Sequence, residues 1–187
     1  MKNILFRLLV LFALIFSCSA ENKFINNYVA RLIYAAETEA LEDYLLKSTS
    51  YPHPNATASY ILGSLYLDGS ILKKDLQKAD IFITKAANMG LPEAINSIGD
   101  GYYSGDIRKK NIRKALEYYE KAAALGFKPS QFNAGIVLLR NAKNKNDLKR
   151  AILYLDKASK NSKDLKEITK AAVRYKIDAQ KRLKNYK

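Results

Sequence analysis

Catalysis in this 187-residue sequence would have to be built from very few nucleophilic or metal-binding side chains. There is one histidine, His53, and one cysteine, Cys18. A multi-histidine metal cage, a Cys-rich zinc site and a disulfide framework are therefore excluded. A histidine-based triad could form only around His53. That residue sits in Tyr51-Pro52-His53-Pro54, with no serine, cysteine or carboxylate spaced to couple to it. Asp68-Gly69 and Gly105-Asp106 read as turns, because the alternating oxygen ligands of a calcium loop are missing. No glycine-rich phosphate cradle is present. Asn55-Ala56-Thr57 has the form of a glycosylation triplet but reads more simply as the start signal of a helix over 56–67. No enzyme activity, metal or cofactor is expected.

The elements that carry the remaining polar residues follow from composition and period. Apolar residues make up 48% and charged residues 27%, with 8 Gly and 4 Pro, which excludes a collagen-like, low-complexity or wholly disordered chain. The length suits one domain of ~150 residues with appended segments. Residues 1–7 carry Lys2 and Arg7, and 8–16 (LLVLFALIF) is an unbroken apolar run. As a helix that run spans ~14 Å, about half a bilayer's hydrocarbon core, so it fits a secretory leader and not a transmembrane span. Two exits follow. Cys18-Ser19-Ala20 favours cleavage before Glu21. Ile15-Phe16-Ser17-Cys18 also resembles a bacterial lipobox, in which Cys18 is lipidated, although Phe16 is bulky for it. In the lipidated case, Ser19 in second place resembles the outer-membrane-directed class.

From 58 onward the chain repeats at 36 residues. Segments 58–93 and 94–129 are identical at thirteen of 36 positions without a gap. The pairs include Ala58/Ala94, Gly63/Gly99, Tyr66/Tyr102, Gly69/Gly105, Lys85-Ala86-Ala87/Lys121-Ala122-Ala123 and Gly90/Gly126. A weaker third copy follows over 130–162. Gly135, Leu138, Arg150-Ala151 and Lys157-Ala158 hold the spacing, and Asn141 and Ser162 replace the two terminal glycines. Asn141 is expected to tolerate the positive φ of the glycine it replaces.

Each copy reads as two helices. In the second copy Pro92 opens the first, Ser104 ends it, and Gly105-Asp106 breaks the chain. Asn111 caps the second helix, with Asp75 and Asp147 expected at the equivalent places. Ala115, Tyr118 or Tyr119, and Ala122 form its packing stripe, and Gly126 closes it.

These residues resemble the Sel-like repeat family, a branch of the tetratricopeptide-like helical solenoids. The family's pattern reads here as ASYILGSLYLDG and DLQKADIFITKAANMG, then AINSIGDGYYSG and NIRKALEYYEKAAALG. The resemblance implies an all-α, right-handed α-α superhelix of about three 36-residue helix-turn-helix repeats, used for scaffold, envelope-complex or host-interaction roles. It also implies a narrower role as an immunity protein that neutralises a secreted antibacterial effector.

The expected organisation is a signal segment over 1–20, capping helices and linker over 21–57, repeats over 58–93, 94–129 and 130–162, and a basic capping helix over 163–187. Within the N-terminal part, Ala40, Leu41, Tyr44 and Leu45 form an apolar stripe. In the C-terminal helix, Leu165, Ile168, Ala172, Tyr175, Ala179 and Leu183 share one face, and a basic patch of Lys163, Lys166, Lys170, Lys181 and Lys184 lies off it.

Formal net charge is +14, and it is one-sided: residues 1–105 hold 9 basic and 10 acidic side chains, and residues 106–187 hold 23 and 8. An acidic protein partner, or an anionic lipid, lipopolysaccharide or glycan, fits that excess. Nucleic acid is disfavoured, because the leader directs the chain out of the cytosol and no base-stacking motif is present. A solenoid presents a groove lined by the first helix of each pair. By helical phase, Ser59, Ser64 and Leu67 of the first copy lie off the packing stripe. Asn96, Asp100 and Tyr103 are their counterparts in the second, and Phe132, Ile136 and Arg140 in the third. The resulting expectation is a non-enzymatic exported module that binds another protein, periplasmic, outer-membrane-anchored or secreted, in a Gram-negative bacterium. The alternative is an envelope protein that binds anionic lipid or lipopolysaccharide through its basic C-terminal half.

Overall fold

The computed structural model describes residues 20–50, 54–160 and 165–186, with side chains from Ile25 onward. The leader with Cys18, the His53 loop position, Lys163 and Ser162 lie outside the described residues. Among the described residues there are nine α-helices and no strand: α1 (Ala20–Ala35), α2 (Thr38–Ser48), α3 (Ala56–Asp68), α4 (Leu76–Asn88), α5 (Pro92–Ser104), α6 (Ile112–Ala124), α7 (Lys128–Arg140), α8 (Lys145–Ser159) and α9 (Lys166–Lys184). The chain divides into two compact units, Met1–Leu91 and Pro92–Lys187.

The hairpins α3–α4 and α5–α6 are closed by the same local chemistry. Asn55 and Asp75 cap α3 and α4 through their side chains, Asn55 accepting from Ala58 N and Asp75 from Gln77 N and Lys78 N. Asn111 does the same for α6, accepting from Lys114 N. Each hairpin turn passes through a left-handed glycine, Gly69 at φ 76° and Gly105 at φ 92°. The next cap residue then donates back to the tyrosine of the preceding helix: Asp75 N to Tyr66 O at 3.0 Å, Asn111 N to Tyr102 O at 2.8 Å.

Helix pairs meet where one side has no side chain. A Cβ added at Gly63 would stand 2.8 Å from Ile83 Cγ1 and 2.9 Å from the Ile83 backbone nitrogen. At Gly99 it would stand 2.7 Å from the Tyr119 ring, and at Gly135 2.6 Å from Leu155 Cγ. Ala79, Ala115 and Ala151, and Ala86, Ala122 and Ala158, are fully buried, and the Ala79 and Ala115 carbonyls stand at the first two of these contacts. Tyr66 stacks with Phe82 and Tyr102 with Tyr118, the centroids 6.1 and 5.7 Å apart. Lys78 and Lys114 lie over Tyr66 and Tyr102.

In the first unit, Val29, Leu41, Leu45, Leu62 and Leu65 form the apolar centre. Leu41 and Leu45 point inward as the stripe predicts, but Ala40 is exposed. In the second unit, Leu148, Leu155, Ala172 and Ala179 form the centre where α8 packs on α9.

In the third hairpin and at Ser59 the structure departs from the sequence expectations. The third hairpin starts its second helix early: the N-cap of α8 is Asn144, which accepts from Asp147 N at 2.9 Å. Asp147 lies inside the first turn and accepts from Lys143 N. This shortens the loop, so Asn141 has no left-handed turn to make. It sits at φ −109°, and its side-chain amide donates to Val137 O. Ser59, placed off the packing stripe by phase, is fully buried, its hydroxyl donating to Asn55 O within the helix start.

Candidate functional site

In the second unit, α5, α6, α7 and α9 enclose an open cavity of about 310 Å³. Its walls are Tyr103, Tyr119, Phe132, Ile136, Val137 and Tyr175, with Asp100, Asn133 and Arg140 as its polar groups. The spacing that places Asp100 and Tyr103 one turn apart on α5, and Phe132, Ile136 and Arg140 at four-residue steps on α7, aims both rows at the same space. Phe132 meets Tyr175 of α9 with centroids 6.0 Å apart.

Polar groups at the cavity are tied down. Asp100 Oδ1 accepts from Tyr119 Oη at 2.7 Å, and Asp100 Oδ2 accepts from Asn96 Nδ2 at 2.8 Å. Asn96 Oδ1 in turn accepts from Ser130 Oγ at 2.7 Å and Asn133 Nδ2 at 3.2 Å. Solvent reaches the outer edge of Asp100. Partial burial of its carboxylate at the cavity raises its pKa, with the bonds from Tyr119 and Asn96 working the other way. Burial, followed by the charge of Asp100, pushes Tyr119 well above the ordinary tyrosine range. At the exposed edge, Arg140 Nη1 donates to Tyr103 Oη at 2.9 Å.

Asp100, Tyr103, Phe132, Ile136 and Arg140 thus come together. Asn96 and Ile136 differ from the phase expectation in being buried, each 9% exposed. The Asn96 amide is committed to the network beneath the cavity. Ser64 and Leu67 are half-buried on α3 of the first unit and do not line it. Lys166, Lys170, Lys181 and Lys184 are exposed on α9. Sequence reasoning assigned Tyr119 and Tyr175 to packing alone and did not single out Asn133. A signal for Tyr119 was present: its equivalents at 36-residue spacing are Ile83 and Leu155, and those of Asp100 are Ser64 and Ile136. Only the middle copy pairs a hydroxyl with a carboxylate there.

The family model for the Sel1 repeat matches residues 56–91, 92–127 and 129–163, more than half of the chain. The chain belongs to the Sel1 repeat family. Its fold is the all-α helical-repeat solenoid expected from the sequence. Among solved structures it is similar to a protective antigen present in uropathogenic Escherichia coli strains that displays the Sel-like fold. The identity is 25% and the TM-score 0.59, over 63% of this chain and 25% of that one. It is also similar to a Sel1 repeat protein from Oxalobacter formigenes, at 22% identity and TM-score 0.62, over 83% of this chain and 69% of that one. The chain thus spans a quarter of the length of the E. coli antigen. No curated protein matches.

Sel1 repeat proteins generally mediate protein–protein interaction on a non-enzymatic scaffold fold. In this member the Asp100–Tyr119 pair belongs to the second Sel1 repeat. Among the described residues, no helix is long and apolar enough to cross a membrane, and no group of three His, Cys, Asp or Glu could hold a metal ion.

Proposed function

We propose that this Sel1 repeat protein is an exported, non-enzymatic module that holds another protein at the bacterial cell envelope. One observation carries the reading: successive repeat helices of the second unit converge on an aromatic-lined cavity in which Asp100 is spent, with Tyr119 and Asn96, on holding its shape. Export rests on the basic start, the nine-residue apolar run and the lipobox-like Cys18. Neutralisation of a secreted antibacterial effector is the specific form this role takes in our reading, and it fits a small basic binder facing an acidic partner.

A second reading has its own observation. On α9, Lys166, Lys170, Lys181 and Lys184 are exposed beside Val173 and Ile177, at 41% and 46% exposure, a face suited to anionic lipid or lipopolysaccharide. Affinity capture from envelope extract with the full chain separates the two readings. Recovery of one protein at both low and high salt supports the cavity. Recovery only of anionic vesicles, lost as the Debye length falls from ~10 Å at 0.1 M to ~3 Å at 1 M salt, supports the basic helix.

A further inference from the structure

We propose that the cavity of the second unit seats one aromatic or aliphatic side chain of an acidic partner segment, and that a carboxylate beside that side chain pairs with Arg140. This rests on the partner-binding reading and adds the chemistry of what is bound. Four observations lead to it.

The size of the cavity, about 310 Å³, lies at the low end of the ~300–1,000 Å³ of ligand sites, so it suits a single side chain with its adjoining backbone. Its walls are apolar or aromatic: Phe132, Ile136, Tyr175 and the ring of Tyr103. Rigid rings of this kind make anchor contacts at little entropic cost.

The polar groups are unequal. Aromatic walls with a carboxylate would suit a cation, but both oxygens of Asp100 already accept, from Tyr119, Asn96 and, at 3.5 Å, Asn133. Asp100 is therefore a strut of the cavity. Arg140 is exposed, donates to Tyr103 and interacts with the Tyr175 hydroxyl, and has no carboxylate in ion-pair range among the described residues. A guanidinium has five donors in a fork that matches a carboxylate, so Arg140 is the group left to recognise something.

The surroundings favour the same sign of partner. Residues 92–187 hold 23 basic and 10 acidic side chains, an excess that draws an acidic segment toward the cavity. The apolar anchor then fixes its register, as expected where a small desolvated centre carries most of the affinity.

Fluorescein-labelled peptides on the full chain test this by anisotropy: Asp-Glu-Phe-Glu-Asp, the same peptide with Ala for Phe, and Lys-Lys-Phe-Lys-Lys. The acidic Phe peptide is expected to bind about tenfold tighter than either control. Arg140→Gln and Phe132→Leu, each verified as folded by circular dichroism, are expected to weaken it by about fivefold or more. Combined replacement of Lys166, Lys170, Lys181 and Lys184 by Gln is expected to stay within about twofold.

Equal binding of the Ala peptide overturns the proposal in favour of diffuse surface charge. Tighter binding of the Lys peptide overturns it in favour of Asp100, and loss of binding in the lysine variant overturns it in favour of α9. No binding of any peptide at millimolar concentration also overturns it. If a captured envelope protein survives both Arg140→Gln and Phe132→Leu, the partner-binding reading stands and this one fails. If nothing is captured by the unmodified chain, both fail.

Discussion

Tyr119 and Asp100 set the middle repeat apart from its neighbours. In the other copies the residue facing the helix glycine is aliphatic, Ile83 or Leu155, and needs no partner. Tyr119 brings a hydroxyl into the same buried place, and Asp100 answers it at 2.7 Å. Tyr119→Phe keeps the ring and removes the bond to a charged acceptor, so it should cost ~1.5–3 kcal/mol in urea denaturation. Asp100 adds a pH dependence. Its folded carboxyl holds its proton more tightly than the unfolded one, so its contribution to stability is largest in acid and is lost as pH rises through the folded pKa. Compared with Asp100→Asn, the unmodified chain should gain relative stability between pH 7 and about pH 4; a constant difference would contradict this. Phase alone put Asp100, Tyr103, Phe132 and Arg140 on the open side of their helices. It could not show that Tyr175 of α9 turns back to Phe132, because that depends on a tertiary crossing and not on spacing within one helix.

Helices of this chain are set by punctuation. Asp75 and Asn111 were legible as caps because they keep the 36-residue repeat spacing, and Asn55 because it directly precedes the start of a helical run. The cap of α8 was not legible, because the third loop is shorter and the true cap, Asn144, stands three residues before the homologous position. Asn144→Ala should therefore lower stability by about 1 kcal/mol, measured by urea denaturation. The glycines fall into two physical classes. Gly63→Ala drives a methyl against the Ile83 backbone nitrogen, which cannot rotate away, and should cost ~1–3 kcal/mol. Gly126→Ala meets nothing within 4 Å and suffers only from its φ of 86°, so ~1–2 kcal/mol is expected from backbone strain alone.

At the scale of the molecule, the repeats and the family were readable because two copies share residues at fixed spacing across whole hairpins. Where the chain acts was less readable. Net charge pointed to the C-terminal half without choosing between α9 and the cavity, since charge reports sign and not shape. The proposed function requires the second unit to grip a partner through its ring-walled hollow. Hydroxyl-radical footprinting of the full chain with its captured partner reads this most directly, because it reports solvent access to tyrosine and phenylalanine side chains one by one. Protection of Tyr103, Phe132 and Tyr175 is predicted, with Tyr34, already 73% exposed in the first unit, unchanged. Unaltered reactivity at those three residues while the partner is bound would contradict the account.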